Sequence, residues 1–540
     1  MIMVTEGENR LGTEINRHER FDRLVEEVMN KNMTPEDRSE IAALLESMGW
    51  NDSRATEIFG VENIFELATE IWEQIRQKVV TTAFTQNVQT SAVKMTFELV
   101  KSFLRGLIFA LPMAISVVSM LTLKFSLWSY QNLSVELATC IAIGTILSFV
   151  VVGGYTQAIA RRGFFYIFQG YYKMARKATF LFIRFGYWTC LIVGIAIYLF
   201  NLIFNIFPMD MFMYIILFFF FLNSIWLSVT VMYILKRELT FTGLIVAGIG
   251  LVYVLFREFK MDIIVSQLIA ISLVSITGMA LVIYYFRSAE KREEKGIAPK
   301  MTRLSITIYS IMPYFVYGFL YFLFLYIDRI NAWSANDKRF MPYFIWFRGD
   351  YELGLDFALL ALMIPLGVCE VLVNKMMMNI EASYKRYWGF ETDKMNALFE
   401  KAYYRMIAVI TASSIASAVL IYFVILWSDK AYVESVGKHL IVSKETEFVF
   451  IVAMASYVIL AVALLNSVIL FSLSQPSLVN RAILPALGVN FVVGFLLSRW
   501  IDYTYAVFGL MAGAVVFAVL SFKAMRSVFR KLDYYLYAIS

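Results

Sequence analysis

Hydrophobic residues along this chain gather into twelve long apolar runs, with polar residues pushed to the ends of the runs and the joints between them. The runs lie at about 105–128, 133–160, 178–204, 209–235, 239–256, 261–286, 304–327, 354–378, 407–427, 448–473, 482–498 and 503–522. A bilayer core of roughly 30 Å needs about 20 apolar residues per helix, and a soluble fold has no use for such runs in series. The pattern therefore predicts an all-α polytopic membrane protein with about twelve transmembrane helices. A 16% aromatic content suits interfacial belts at the membrane faces.

The first 80 residues break the pattern. Thr34, Pro35, Glu36 and Asp37 read as an N-cap, a first-turn proline and acidic first-turn residues. Ile41, Leu44, Leu45 and Met48 follow at helical spacing, and Gly49 ends the helix. A second start at Asn51–Asp52 and an amphipathic stretch from Ile64 to Val79 complete three or four short helices. The Met48-Gly49-Trp50 turn is loosely similar to that of ubiquitin-associated three-helix modules, and a generic cytoplasmic helical appendage is the simpler reading.

Composition removes several chemistries. The two histidines, His18 and His439, lie outside the apolar runs, and Cys140, Cys190 and Cys369 sit far apart inside them. That distribution offers no disulfide framework, paired-thiol redox motif or Cys/His metal cluster. Neither a Walker-type phosphate loop nor a nucleophile elbow occurs. No cleavable signal peptide is expected, because the first apolar run lies well inside the chain. Net charge is +6, but Lys and Arg border the spans, which points to topology rather than nucleic-acid binding.

Alternate joints differ in basic content. One set holds Arg161, Arg162, Lys173, Arg176, Lys177, Lys236, Arg237, the Arg287–Arg303 stretch, Lys385, Arg386, Lys394, Lys401, Arg405 and the tail from Lys523. The other holds Lys124, Arg257, Lys260 and a few mixed-sign positions. The positive-inside rule places both termini in the cytoplasm.

The Arg287–Arg303 stretch divides six spans from six, so any symmetry between the halves is of the parallel kind. Each half opens on a span with an interior proline, Pro112 or Pro313, which frees a carbonyl and bends the helix. Each also has a basic, aromatic stretch before its third span, ending Tyr171-Tyr172-Lys173-Met174 or Tyr403-Tyr404-Arg405-Met406. Chance among 31 tyrosines, and interfacial anchoring, explain these stretches equally well. The segments are then a helical module at 1–80, a lead-in at 81–104, spans at 105–286, a linker at 287–303, spans at 304–522 and a tail at 523–540.

Intramembrane polarity concentrates in the second half. In the eighth span Glu352, Asp356, Met363, Glu370, Asn374, Met377 and Glu381 stay within about 40° of one face at 100° per residue. A charge at bilayer centre costs about 2.5–3.5 kcal/mol, so Glu370 is expected to face protein or a wet cavity. Pairing with a neighbouring helix, or protonation, are the alternatives. Glu352 and Asp356 are expected at a watered outer mouth, and Pro365 is expected to kink this span. Asp328, Arg329, Arg348, Asp350 and Glu352 are candidates for an outer vestibule, although adjacent Asp328 and Arg329 do not share a helix face. Arg184 is placed to snorkel, and Asn223, Gln267, Asn466 and Asn490 read chiefly as interhelical glue.

One block is more specific. Tyr326-Ile327-Asp328-Arg329 with Ala332-Trp333-Ser334, and Tyr343 to Phe347 continuing through Tyr351-Glu352-Leu353-Gly354-Leu355-Asp356 to Leu360, resemble the Pel-type exopolysaccharide transporters. These belong to the multidrug/oligosaccharidyl-lipid/polysaccharide (MOP) flippase superfamily. Phe97-Glu98-Leu99 is similar to that family's start, with Thr96 where a glycine is usual. The resemblance covers roughly residues 95–530 and leaves out the N-terminal module. It implies two six-helix bundles around a cavity opening alternately to either side, in a bacterial inner membrane. It also implies a polysaccharide or lipid-linked glycan substrate, a cytoplasmic glycosyltransferase or other synthesis-complex partner, no cofactor, and H⁺ or Na⁺ as the coupling ion if there is one. A cation-coupled multidrug efflux carrier of the same fold is the second reading, and a membrane-embedded glycan polymerase the third. An enzyme would want a large outer loop or a convergent catalytic set, and the longest outer loop is Asp328 to Gly349, without histidine.

The orientation is checked by reporter fusions. Fusions at Lys295 and after Ser540 are expected to read cytoplasmic and one at Asn336 extracytoplasmic; a cytoplasmic reading at Asn336 overturns it.

Overall fold

The structure is a computed structural model that describes residues 20–28, 37–75, 92–129, 133–291, 303–335, 344–384, 392–437, 439 and 443–537. Residues 34–36, the lead-in at 81–91, linker residues 292–302 and outer-loop residues 336–343 lie outside this description, as does the side chain of Glu381. The chain forms two compact units, residues 1–98 with 381–386, and residues 99–380 with 387–540.

The smaller unit contains four short helices: α1 (20–28), α2 (Arg38–Ser47), α3 (Asp52–Phe59) and α4 (64–75). The cap of α2 is Asp37, not Thr34: its extended backbone breaks the helix, and its carboxylate accepts the Glu40 amide at 2.8 Å. Asn51 caps α3 through the Arg54 amide at 2.9 Å, and Gly60 closes it at φ 70°. Asp52 reaches across to accept the Ile64 amide at 2.8 Å, tying α3 to the start of α4. Val25, Ile41, Leu45, Ala55, Leu67 and Ile71 fill the core between them.

The larger unit is built of helices joined by short turns. Its helices are α5 (Ala92–Leu123), α6 (Val135–Phe168), α7 (Tyr172–Phe204), α8 (Met209–Ile234), α9 (Glu238–Tyr253), α10 (Ile263–Glu290), α11 (Leu304–Trp333) and α12 (Gly349–Leu359). They continue with α13 (Met363–Tyr384), α14 (Thr392–Val436), α15 (Lys444–Ser472), α16 (Pro476–Trp500), α17 (Val507–Phe529) and α18 (Leu532–Tyr537). Among the described residues eleven helical segments are long and apolar enough to cross a membrane, with α12 and α13 counting as one. Ahead of them α5 occupies the expected first span and carries Pro112. The chain is a multi-pass membrane protein: in hydrocarbon, each backbone N–H and C=O needs an internal partner, and helices supply it.

Two departures from the expected spans have local causes. The ninth span, expected at 407–427, belongs to the 45-residue α14, which contains neither Gly nor Pro and stops only at Gly437, φ 71°. The paired aromatic stretches are also unlike. Tyr171 follows a turn at Gly170, φ 78°, whereas Tyr403 and Tyr404 lie within α14 without a break.

One hydrophobic cluster draws almost wholly on α6–α10 and a second on α11–α17. Polar glue recurs within them. Gln267 of α10 donates to the Ser126 and Ser129 carbonyls at 3.1 and 3.0 Å, satisfying non-helical backbone between α5 and α6. Asn466 joins α14 and α17 by accepting from Tyr403 and donating to Ser521, and Asn490 donates to the Phe324 carbonyl at 2.9 Å. Asn223 departs from that role, since neither amide atom has a partner among the described residues.

The halves meet backbone to backbone where glycines face each other. A methyl group added at Gly106 of α5 would lie 2.8 Å from the Gly367 Cα in α13. One added at Gly153 of α6 would lie 2.7 Å from the Gly318 carbonyl of α11. Gly318→Leu is therefore expected to cost about 2–3 kcal/mol through overpacking. Gly243→Ala, which faces open space on a helix, is expected to be neutral or stabilising by up to about 1 kcal/mol. Thermal unfolding in detergent checks both, and equal melting of Gly318→Leu and wild type would refute the close crossing.

Candidate functional site

The polar residues singled out in the second half come together where the C-terminal end of α11 meets the start of α12. Asp328 and Arg329 are neighbours on α11, Tyr351 and Glu352 neighbours on α12, and the two pairs match across the joint. The Tyr351 hydroxyl donates to Asp328 Oδ2 at 2.9 Å. Arg329 forms an ion pair with Glu352 and lies 3.5 Å from Asp356, one turn further along α12. Trp333 completes the pocket by donating its indole N–H to the other Glu352 oxygen at 2.9 Å. The Arg329 guanidinium also sits 5.2 Å from the Tyr326 ring centroid.

Burial corrects part of the sequence-based expectation. Asp328 is fully buried, and the side chains of Glu352 and Arg329 are only 7% and 11% exposed, so these groups do not face a watered mouth. Asp356 is the open member, at 47%. A charge this deep is retained only with a close partner and further hydrogen bonds, which Trp333 and Tyr351 provide. Asp328 Oδ1 has no hydrogen-bond partner among the described residues, so the carboxylate is half satisfied. Glu352 and Asp356 share the one guanidinium, and the buried Asp328 stands beside them with Tyr351 as its partner.

Arg348 performs a different task. It is buried, stacked 3.8 Å from the Trp346 centroid and 4.2 Å from that of Tyr503, and it donates to the Ala335 carbonyl. Its own carbonyl accepts the Glu352 amide at 3.0 Å, so the same residue positions the start of α12. Arg348 is thus part of the scaffold beside the cluster.

Glu370 and Asn374 lie elsewhere. Asn374 donates to Glu370 at 3.3 Å along α13, and Glu370 is half-buried beside the Gly106–Gly367 crossing. Fourteen residues separate it from Asp356, about 21 Å along a helix. The single polar face expected for this span is also interrupted. Residues Leu360–Leu362 form a 3-10 turn, which turns the lower part by about 60° relative to an unbroken α-helix.

The turn has its cause in Pro365, which lacks the N–H that would pair with the Ala361 carbonyl. That carbonyl is taken by the buried Ser417 hydroxyl of α14 at 2.7 Å. Pro313 lies inside α11, where its own carbonyl accepts from Asn480 at 2.7 Å, and Pro112 lies inside α5. Sequence reasoning missed Ser417, since a serine in an apolar run carries no sign of which neighbouring carbonyl it faces. Trp333, Tyr351 and Tyr326 lie in the resemblance block, but their roles became visible only with the pairing of α11 and α12.

Contacts between the halves run the length of α6 and α11. The Phe347 amide donates to Thr139 at 2.9 Å. Deeper in, Phe149 stacks against Trp226 at 4.2 Å and against Phe322 and Tyr326 at 5.1 and 5.6 Å. At the far end Arg161 donates to Ser474 at 2.7 Å and lies over Tyr314.

No protein-family profile and no curated protein matches the chain. Solved structures do. A point mutant of the Vibrio cholerae MATE transporter VcmN is 14% identical with a TM-score of 0.54, covering 85% of this chain and 100% of that one. The eukaryotic MATE transporter AtDTX14 is 13% identical with a TM-score of 0.56, covering 81% and 98%. An outward-facing multidrug resistance MATE family transporter of the MOP superfamily is 14% identical with a TM-score of 0.53, covering 80% and 96%. The fold is therefore that of the MATE transporters.

Glu352→Gln removes the partner that holds Arg329 and is expected to destabilise the protein by about 3 kcal/mol. Asp356→Asn, on the exposed side of the cluster, is expected to cost about 1 kcal/mol or less. Thermal unfolding of the two purified variants gives the comparison, and equal melting would mean the buried pair is not the anchor.

Proposed function

We propose that this chain is a transporter that exports an exopolysaccharide or lipid-linked glycan by alternating access. In this reading it lies in a bacterial inner membrane with both termini in the cytoplasm and carries out no catalysis. One observation carries the proposal: the block 326–360, which resembles Pel-type transporters, is the stretch whose side chains build the buried charge cluster, within a MATE-type fold. A motif of that kind on an exposed loop would say little, but here it supplies the buried charged residues Asp328, Arg348 and Glu352.

Three carboxylates, Asp328, Glu352 and Asp356, beside the single guanidinium of Arg329 give a cation a place to bind in one state of the cycle. A ligand moves such an equilibrium only through different affinities for the two states. Among the described residues no three His, Cys, Asp or Glu side chains converge as metal ligands. The coupling cation in this reading is H⁺ or Na⁺. Asp356, the accessible carboxylate, is the entry point, and Glu370 with Asn374 lines the path near the α5–α13 crossing. Pro112, Pro313 and Pro365 are the bending points, because a helix already missing a hydrogen bond changes its bend at little further cost. The N-terminal module is the docking element for a cytoplasmic glycosyltransferase or another synthesis protein.

A cation-coupled efflux carrier is the second reading, favoured by one of the similar solved structures being a multidrug resistance MATE family transporter. Gene deletion separates the two. Loss of secreted and surface polysaccharide with unchanged drug sensitivity supports the glycan exporter, and the reverse supports efflux. Glu370→Gln and Asp356→Asn, each at normal membrane abundance, are expected to lower export about tenfold or more. Full export by both variants would remove the acidic residues from the mechanism.

A further inference from the structure

One face of α17 changes character abruptly along its length. Val519, Lys523, Arg526 and Arg530 stay within about 60° of one another at 100° per residue, so an apolar strip runs directly into a column of cations. Two adjoining grooves follow this strip. The first, about 360 Å³, is lined by Ala518, Val519, Phe522, Lys523 and Arg526. The second, about 290 Å³, is lined by Lys523, Arg526, Ser527, Arg530 and Lys531. Lys523 and Arg526 belong to both, which makes the grooves continuous.

Little acid opposes these charges. Glu400 of α14 approaches Arg526 only at 3.9 Å, and through Nε. Asp533 is engaged by Asn396 at 2.9 Å. Lys523, Arg526, Arg530 and Lys531 are all exposed, as is the Ser527 side chain between them.

We propose that the two grooves form a binding site for an anionic phospholipid of the adjoining leaflet. An acyl chain lies along Ala518, Val519 and Phe522, and the phosphate sits among Lys523, Arg526 and Arg530 with the Ser527 hydroxyl donating to it. Charge complementarity selects this occupant, since a zwitterionic headgroup brings its own cation to a site already rich in them. A soluble phosphate would fill the basic groove and leave the apolar one without a ligand. The site lies outside the charge cluster of α11 and α12 and is independent of what the protein transports.

Native mass spectrometry of the full-length protein released from detergent tests this, with phosphatidylglycerol, phosphatidylcholine of matched chains, and inorganic phosphate as probes. Wild type is expected to retain phosphatidylglycerol, to lose phosphatidylcholine, and to keep its lipid in millimolar phosphate. Each basic residue near a membrane surface contributes roughly fivefold in affinity. Arg530→Gln should therefore weaken retention about fivefold, and the Lys523→Gln, Arg526→Gln, Arg530→Gln triple about a hundredfold. Lys236→Gln with Arg237→Gln, at the α8–α9 turn, should leave retention unchanged. Should the triple variant not fold, the single variant decides. Undiminished retention by Arg530→Gln, equal retention of phosphatidylcholine, or displacement by inorganic phosphate would each overturn the proposal.

Discussion

A guanidinium inside an apolar bundle must be neutralised where it stands, and much of the second half is arranged around that requirement. Arg329 is only 11% exposed, so α12 brings Glu352 to it and Trp333 fixes the carboxylate from behind. The adjacent Tyr351 then falls opposite Asp328, which sets the register of α11 against α12 residue by residue. Arg348 holds the start of α12 through stacking and backbone contacts. Removing Glu352 would leave Arg329 without its buried counter-charge, whereas the more exposed Asp356 is the dispensable member.

Much of the fold was legible before any coordinates, because the bilayer forces a simple code. Twelve runs of adequate length left few alternatives to a bundle of spanning helices, and the prolines in α5 and α11 stand inside their helices as the sequence indicated. The site was legible in its residues but not in its exposure. Glu352 and Asp356 share a face one turn apart, yet one is sealed by Trp333 and the other open, a difference that depends on packing between helices. The α12–α13 break was foreseen only as a kink at Pro365; its form followed from a hydroxyl on α14, distant in sequence. Asn223 marks the opposite limit, since a residue type that elsewhere joins helices stands here without a partner among the described residues.

The contact between halves combines two kinds of surface. Gly106–Gly367 and Gly153–Gly318 allow backbones to touch, and such contacts separate without breaking any hydrogen bond. The stack of Trp226, Phe149, Phe322 and Tyr326 is broader and slides more readily than it parts, because offset rings tolerate lateral shifts. Polar links stand at the ends, at Thr139–Phe347 and Arg161–Ser474. An interface of this composition opposes motion weakly in its middle and specifically at its rims.

The uninterrupted α14 has a mechanical consequence. At 45 residues it is a rod of about 67 Å, twice the thickness of a bilayer core. Ser417 clasps the Ala361 carbonyl at a point about 38 Å from the N-terminal end of the rod and about 28 Å from the other. The N-terminal arm is also held, by Tyr403 on Asn466 and Asn396 on Asp533, so the rod moves together with the helices it is tied to. A tilt of about 5° at Ser417 carries the N-terminal tip through roughly 3 Å, with no change in its own hydrogen bonding. Bending at Pro365, passed on through the Ala361–Ser417 hydrogen bond, would thereby tilt the whole rod with the helices tied to its N-terminal arm.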